Sequence, residues 1–390
     1  MMNKKLIALA VSGLAAGSAF AQSNVTVYGV ADVGYVYSQG NAGVGGGTNK
    51  FSGLAGGGIT AGNRLGFKGE EALGNGLKAV FTLEYGLQMD NNSGIGNTGG
   101  LNARQQFVGL ASNYGTISLG RQYAPGFNAT ANNDALEATD MSIQSNMSVY
   151  SGMAITPNSP ARYANSIAYT SNNLSGFTAS AIYGFGESKL NNTYNDNVNS
   201  IWDNGRVGLG LNYANGPINI DAVYQSRLQE VVPNLCADPA VCNVAPPYKA
   251  PGSGKSINEW YLGGSYDFQV AKIYASYQAL YNNNDVRVNG IDDSNLWTVG
   301  VSAPFGNGVF GLSYGRLSID RDGPDGNSWG AGAMYQYNLS KRTALYIAYT
   351  YINNDKYSVP VQTQVAGDGI GIGALGEANY TLGAGIRHSF

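Results

Sequence analysis

The sequence predicts an all-β fold, a 16-stranded antiparallel transmembrane β-barrel with a long third loop folded into its lumen. Three observations predict it: a composition poor in charge and rich in aromatics, segments that alternate apolar and polar residues with period two, and connections that alternate between short and long. Charged residues make up 12% of the 390 and aromatic residues 11%, with 27 Tyr and 56 Gly. A soluble domain carries roughly 25% charged residues to cover its surface, so something other than water covers this one. Mean hydropathy is nevertheless only -0.16. No run of about 18 apolar residues lies beyond the N-terminus, which excludes spanning helices. Strands with one side toward lipid and the other toward water reconcile the two facts.

The chain opens with Lys4 and Lys5, an apolar run from Leu6 to Phe20, and the small-x-small pattern Ala19-Phe20-Ala21. This reads as a secretory signal peptide over 1–21, cleaved before Gln22, rather than a membrane anchor, because the apolar core is too short. The barrel then occupies 22–390.

Alternation is clearest where Leu77, Ala79, Phe81, Leu83 and Tyr85 interleave with Lys78, Val80, Thr82 and Glu84. It recurs in Val207, Leu209, Leu211 and Tyr213, in Ile273, Ala275, Tyr277, Ala279 and Tyr281, and in Leu345, Ile347, Tyr349 and Tyr351. One face suits lipid and the other water. Aromatic residues gather at strand ends, among them Tyr35, Tyr37, Tyr85, Tyr183, Tyr213, Tyr266, Tyr335 and Tyr351, as in the two girdles of a barrel. Short turns such as Glu71–Gly76, Ser112–Gly115 and Ala303–Gly308 alternate with longer Gly-, Asn- and Asp-rich stretches such as Gln39–Ala61, Gln229–Lys255 and Asn354–Glu377. An up-and-down barrel with two unlike rims produces that asymmetry, whereas a sandwich or propeller does not.

One connection stands apart. Tyr123–Ala161 runs for about 40 residues between two strands, far beyond ordinary loop length, and such loops are functional or disordered. It carries Asp134, Glu137 and Asp140, and its flanks are basic. The expectation is an acidic loop laid against arginines on the inner wall.

Several chemistries are excluded. The net charge of -3 with scattered basic residues leaves no nucleic-acid footprint. The single His, His388, lies on the lipid-side phase of the last strand, far from any candidate nucleophile, so the chain does not read as an enzyme. Gly43–Gly47 and Gly56–Gly58 lack the Lys-Ser/Thr and helix of a phosphate loop, and the sequence calls for no cofactor or metal. Cys236 and Cys242 lie close together in a Pro-rich loop and read as a local disulfide, with two free thiols as the alternative.

These residues resemble the general trimeric porins of the Gram-negative outer membrane in their β-proteobacterial form. The likeness is carried by SNVTVYGVADVGYVY at the start of the mature chain, NRLGFKGEEALGNGLKAVFTLEYGL, ARQQFVGLASNYGTISLGRQY, RYANSIAYTSNNLSGF, NLSKRTALYIAYTYINN and the terminal GIRHSF. It implies passive diffusion of ions and small hydrophilic solutes, with weak anion selectivity. It further implies a homotrimer in contact with outer-membrane lipid and lipopolysaccharide, and delivery by the barrel-assembly machinery, which a terminal Phe390 resembles the signal for. The third loop, 123–161, would narrow the pore opposite wall arginines.

The positions that match those arginines are Arg64, Arg104 and Arg162, with Arg121 beside the loop. Arg64 is inward by phase, since Leu65 and Phe67 take the lipid face, and Arg162 is inward if Tyr163, Ile167 and Tyr169 point out. Arg104 and Arg121 fall on the lipid phase, so an inward side chain requires a bulge. For each arginine a rim or snorkelling position is the alternative. The loop offers Pro125-Gly126-Phe127 where the family pattern has an acidic residue followed by Phe-Gly-Gly. A solute-specific channel and a plugged structural barrel are the rival readings.

Overall fold

The structure is a computed structural model, described over residues 24–41, 46–91, 102–186, 205–228, 256–281, 293–320, 323–363 and 372–390. The signal-peptide segment and Cys236 and Cys242 lie outside these residues.

In chain order the strands are β1 (Asn24–Asn41), β2 (Thr48–Ala55), β3 (Arg64–Gly74), β4 (Leu77–Gly86), β5 (Ala103–Ser112) and β6 (Gly115–Tyr123). Two short helices follow, α1 (Pro125–Asn132) and α2 (Ile143–Tyr150). The strands resume with β7 (Arg162–Thr170), β8 (Phe177–Gly184), β9 (Arg206–Asn215), β10 (Ile218–Arg227), β11 (Ile257–Asp267) and β12 (Lys272–Tyr281). The last are β13 (Ser294–Phe305), β14 (Gly308–Ile319), β15 (Gly326–Asn338), β16 (Thr343–Asn354) and β17 (Ala378–Ser389).

Every pairing is antiparallel, and β17 returns to β1 with Val30 opposite Ser389 and Gly40 opposite Asn379. Gly29 and Phe390 exchange both backbone hydrogen bonds at 3.1 Å, extending that seam by one pair. The sheet is closed. Closure leaves no edge of unpaired amides, a necessity in hydrocarbon. The strand segments form a 16-stranded barrel because β2 and β3 both pair with β1 and make up one barrel strand between them.

Alternation places the apolar side outside. Val108, Leu110, Ile117 and Leu119 are about half exposed, while Ser118, Thr298, Ser313 and Gln336 on the opposite faces are buried. No helix among the described residues is long and apolar enough to cross a membrane.

Two expectations need correction. Gln39–Ala61 is not one loop: its first residues extend β1 and Thr48–Ala55 is a strand paired with β1 from Gly34 to Asn41. The pattern was hidden by Gly and Asn, which carry little strand signal. The face opposite the exposed one, expected to suit water, is also apolar in places. Ile257, Leu280, Leu296, Leu317, Ile319 and Ile352 form a buried cluster with Ile143 and Met147 of α2.

The long segment between β6 and β7 packs on those buried faces. Helix α1 contacts β6 and β8–β11, and α2 contacts β13–β15. Pro at the start of α1 and Ser142 before α2, whose hydroxyl accepts from the Ser145 amide, set the helix starts. Hydrogen bonds to wall side chains fix the segment further. The Glu259 carboxylate accepts from the Ala154 and Ile155 amides at 2.7 and 2.8 Å, and Arg227 bonds both Glu259 and the Gly152 carbonyl. Asp221 accepts from Asn133 at 2.8 Å, and Gln144 accepts from Ser276 at 2.8 Å.

The interruption between β2 and β3 is a second inserted piece. Residues 56–63 leave the ladder and Asn63 takes the place of the missing strand: its side-chain amide both accepts from the Asp32 backbone N–H and donates to the Asp32 carbonyl. The Asp32 carboxylate is fully buried and accepts from the Thr60 amide (2.8 Å), the Thr60 hydroxyl (2.6 Å), the Ala61 amide (2.9 Å) and the Tyr346 hydroxyl. The excursion then meets the long segment, where the Asp140 amide donates to the Ile59 carbonyl at 3.0 Å. Leu136 and Met141 pack with Ile59 in one cluster.

Candidate functional site

Strands β3, β5 and β7 bring Arg64, Arg104 and Arg162 together around Tyr123, where the long segment begins. Arg64 opens β3, immediately after the excursion, on a regular rung opposite Val30 on β1 and Gly86 on β4. Among the described residues its guanidinium has no hydrogen bond or ion pair.

Arg104 reaches the same region by the bulge that an inward side chain requires. Glu84 pairs with Gln105 and Tyr85 with Ala103, so Arg104 is an extra residue in β5 with no partner on β4. Its Nε donates to Glu84 Oε1 at 2.8 Å and its Nη2 to the Tyr123 hydroxyl at 3.2 Å. The other Glu84 oxygen accepts from the Tyr28 hydroxyl at 3.0 Å. Both side chains of the Arg104–Glu84 pair are mostly buried, at 13% and 5% exposure. Glycine at 66 makes room for the Tyr28–Glu84 bond, since a Cβ there would stand 2.3 Å from the Tyr28 ring and displace its hydroxyl.

Arg162 lies over two rings, 5.6 Å from the centre of Tyr123 and 5.8 Å from that of Phe127, which stack on each other at 3.7 Å. Cation–π attraction at such range is worth about 0.5–1 kcal/mol or more when desolvated. The inward position of Arg162 does not follow from an outward Tyr163, Ile167 and Tyr169. Tyr163, expected to point outward, is buried, because two β7 residues, Ala164 and Asn165, stand against Arg121 alone between the Gly120 and Gln122 pairs. Asn165 takes φ 46, a conformation Asn tolerates better than most residues.

Arg121 is not brought to this cluster. It stays in register opposite Gln106, on the face of Val108 and Leu110, and donates to the carbonyls of Ala103 and Arg162 on the flanking strands at 3.0 and 3.4 Å.

The acids of the long segment do not lie against these arginines. Asp134 is buried and turns back on its own chain, accepting from the amides of Leu136 and Ala138 at 3.0 and 3.1 Å. Burial pushes its carboxyl above the ordinary range, opposed by those bonds and by the Ser142 hydroxyl. Glu137 is about half exposed and stands 4.0 Å from Arg387 on β17. Asp140 is half-buried where the segment meets Ile59. The segment touches Arg162 through Phe127 of its first turn, whereas its three acids lie further along, where Glu137 meets Arg387 and Asp140 meets Ile59. This geometry gives a selective prediction: Asp134→Asn leaves the reversal potential of a single channel in a salt gradient unchanged, whereas Glu137→Gln moves it toward the anion limit.

Sequence reasoning missed Asp32, Tyr28, Asn63 and Arg387. The signal for Asp32 was available, a carboxylate on the water-side phase of the first strand. Among the described residues no group of three or more His, Cys, Asp or Glu is placed to hold a metal.

The profile of the Gram-negative porin family matches residues 8–357. The chain is a Gram-negative porin. Curated relatives of this porin include outer membrane porin protein 32 of Delftia acidovorans, 31% identical over 390 residues with both chains fully covered. An outer membrane porin protein of Bordetella pertussis is also 31% identical, over 433 residues with both fully covered. Among solved structures, an anion-selective porin from Comamonas acidovorans superposes with a TM-score of 0.69 at 28% identity, covering 95% of this porin and all of that chain. OmpT of Vibrio cholerae, at 14% identity and a TM-score of 0.57, shares the fold, with 94% of this porin and 99% of that chain covered. The porin is an outer-membrane protein that forms a channel for passive diffusion.

Proposed function

We propose that the segment 123–161 lies in the lumen and sets the constriction through which ions and small hydrophilic solutes pass, with a weak preference for anions. The observation that carries this reading is the balance of charge. Among the described residues Arg64, Arg104 and Arg162 share one carboxylate, Glu84, whose ion pair is with Arg104, while Asp134 is turned into its own turn and Glu137 faces Arg387, so positive charge exceeds negative at this cluster. In a narrow passage with low-dielectric walls such fixed charges decide which ion enters. Phe390 serves as the assembly signal read by the barrel-assembly machinery, residues 1–21 are a secretory signal, and the working unit is a homotrimer embedded among lipopolysaccharide. The channel does no bond chemistry.

Planar-bilayer recording in a KCl gradient tests it. The expected reversal potential lies on the chloride side, and one on the potassium side overturns the selectivity. A conductance blocked saturably by one solute would instead favour a solute-specific channel.

A further inference from the structure

The outer face of β14 changes character step by step: Phe310, Leu312, Tyr314, Arg316 and Ser318 succeed one another on the same side, each about 6.6 Å beyond the last. Apolar, then aromatic, then cationic, then hydroxyl is the order in which a membrane passes from hydrocarbon to headgroup. Arg316 is exposed on this lipid-side face, three residues from the end of the strand at the rim of the longer connections. A charge there is out of place unless something meets it, since the outer face of a barrel penalises Arg by about 2–4 kcal/mol at mid-depth and less near the interface.

Its neighbours form a frame. Trp297 on β13 and Trp329 on β15 stand directly opposite Arg316 on either side. Tyr314 is 5.5 Å from Trp297 and 6.1 Å from Trp329, and Trp329 is 5.4 Å from Tyr351. Arg316 Nη2 and the Ser318 hydroxyl both donate to Asn327 Oδ1, at 3.1 and 3.0 Å, which fixes the guanidinium at the top of the aromatic band. An indole belt marks the interfacial level, and the anions available there to a residue facing lipid are lipid phosphates.

We propose that this face of β13–β15 binds a phosphate of the outer-leaflet lipopolysaccharide, with Arg316 as the anion contact and Trp297 and Trp329 as walls for the sugar and upper acyl region. The inference deepens the lipopolysaccharide partnership proposed above and rests on it. A guanidinium suits the task because its fork of donors matches phosphate oxygens two at a time.

The test uses the full mature porin refolded from denaturant in detergent, free of co-purified lipid. Bisphosphorylated lipid A, its dephosphorylated form and inorganic phosphate are titrated separately, with tryptophan emission and native mass spectrometry as readouts. Wild-type porin is expected to bind lipid A with a shift in emission, and Arg316→Ala to weaken it about tenfold. Arg316→Lys should weaken it less, and the dephosphorylated lipid should bind both proteins equally poorly. Lys341→Ala, at the opposite rim, should change nothing, and inorganic phosphate should bind no more than weakly. Equal lipid A affinity for wild type and Arg316→Ala overturns the inference, as does an equal loss for Lys341→Ala. A loss that appears undiminished with dephosphorylated lipid overturns it too. No binding of lipid A by wild-type porin would instead overturn the lipopolysaccharide reading itself. Channel conductance of Arg316→Ala equal to wild type verifies that the variant is folded.

Discussion

Replacing Arg64 and Arg162 together by Ala lowers the anion-to-cation permeability ratio about fivefold or more at low salt. A unit charge about 4 Å from a passing ion is worth roughly 1 kcal/mol in water and more in a lower dielectric, and 1 kcal/mol is about a factor of five. Two charges act on both ions with opposite sign. Screening sets the salt dependence: at about 1 M the Debye length falls to roughly 3 Å, so the difference between wild type and variant shrinks. Reversal potentials at several salt concentrations check both statements. Of the two single variants, Arg64→Ala should carry the larger share, because its guanidinium makes no hydrogen bond or ion pair among the described residues, whereas Arg162 lies over the rings of Tyr123 and Phe127. An unchanged ratio in the double variant would show that these side chains do not face the permeating ions.

Asp32→Ala lowers the stability of the folded barrel by about 2–4 kcal/mol and makes the open channel noisy. The substitution removes an acceptor that serves the Thr60 amide, the Thr60 hydroxyl, the Ala61 amide and the Tyr346 hydroxyl, all in a site closed to solvent. Donors left unpaired in such a place cost their full desolvation. The Thr60–Ala61 part of the excursion then loses its tie to β1, although Asn63 keeps its bonds to the Asp32 backbone, and the neighbouring support that Ile59 gives to Asp140 loosens. Thermal melting followed by circular dichroism reads the first effect and current fluctuations the second. Asp32→Asn, which keeps one acceptor oxygen, should show a smaller version of both. A quiet channel with wild-type melting in Asp32→Ala would refute the role assigned to the carboxylate.

The barrel was legible because its signal is additive. Each strand is weakly periodic, but exclusion of charge from one face of many strands, together with unlike rims, leaves few other architectures. The details that set the site were less legible for a specific reason. Phase counting assumes one residue per rung, and the ladder breaks that rule at Arg104 and opposite Arg121, where one strand carries an extra residue. Counting therefore set out the right alternative for Arg104, an inward turn through a bulge, and the wrong one for Tyr163. The acids posed a different problem. Asp134 and Glu137 look alike in sequence and stand three residues apart, yet one caps amides of its own turn and the other stands near Arg387. Only the backbone path, with Glu137 and Ala138 both at positive φ, separates them.

The unpaired position of Arg104 gives the chain a form of modularity. A residue that is surplus to the hydrogen-bond ladder can be gained or lost without moving any neighbour from one side of the wall to the other, whereas removing Phe67, which holds a regular rung inside β3, would turn over the part of the strand on one side of it. The facing of every other side chain is thus preserved when a single codon is lost there, and the cost falls on Glu84 alone, whose carboxylate is left without its guanidinium.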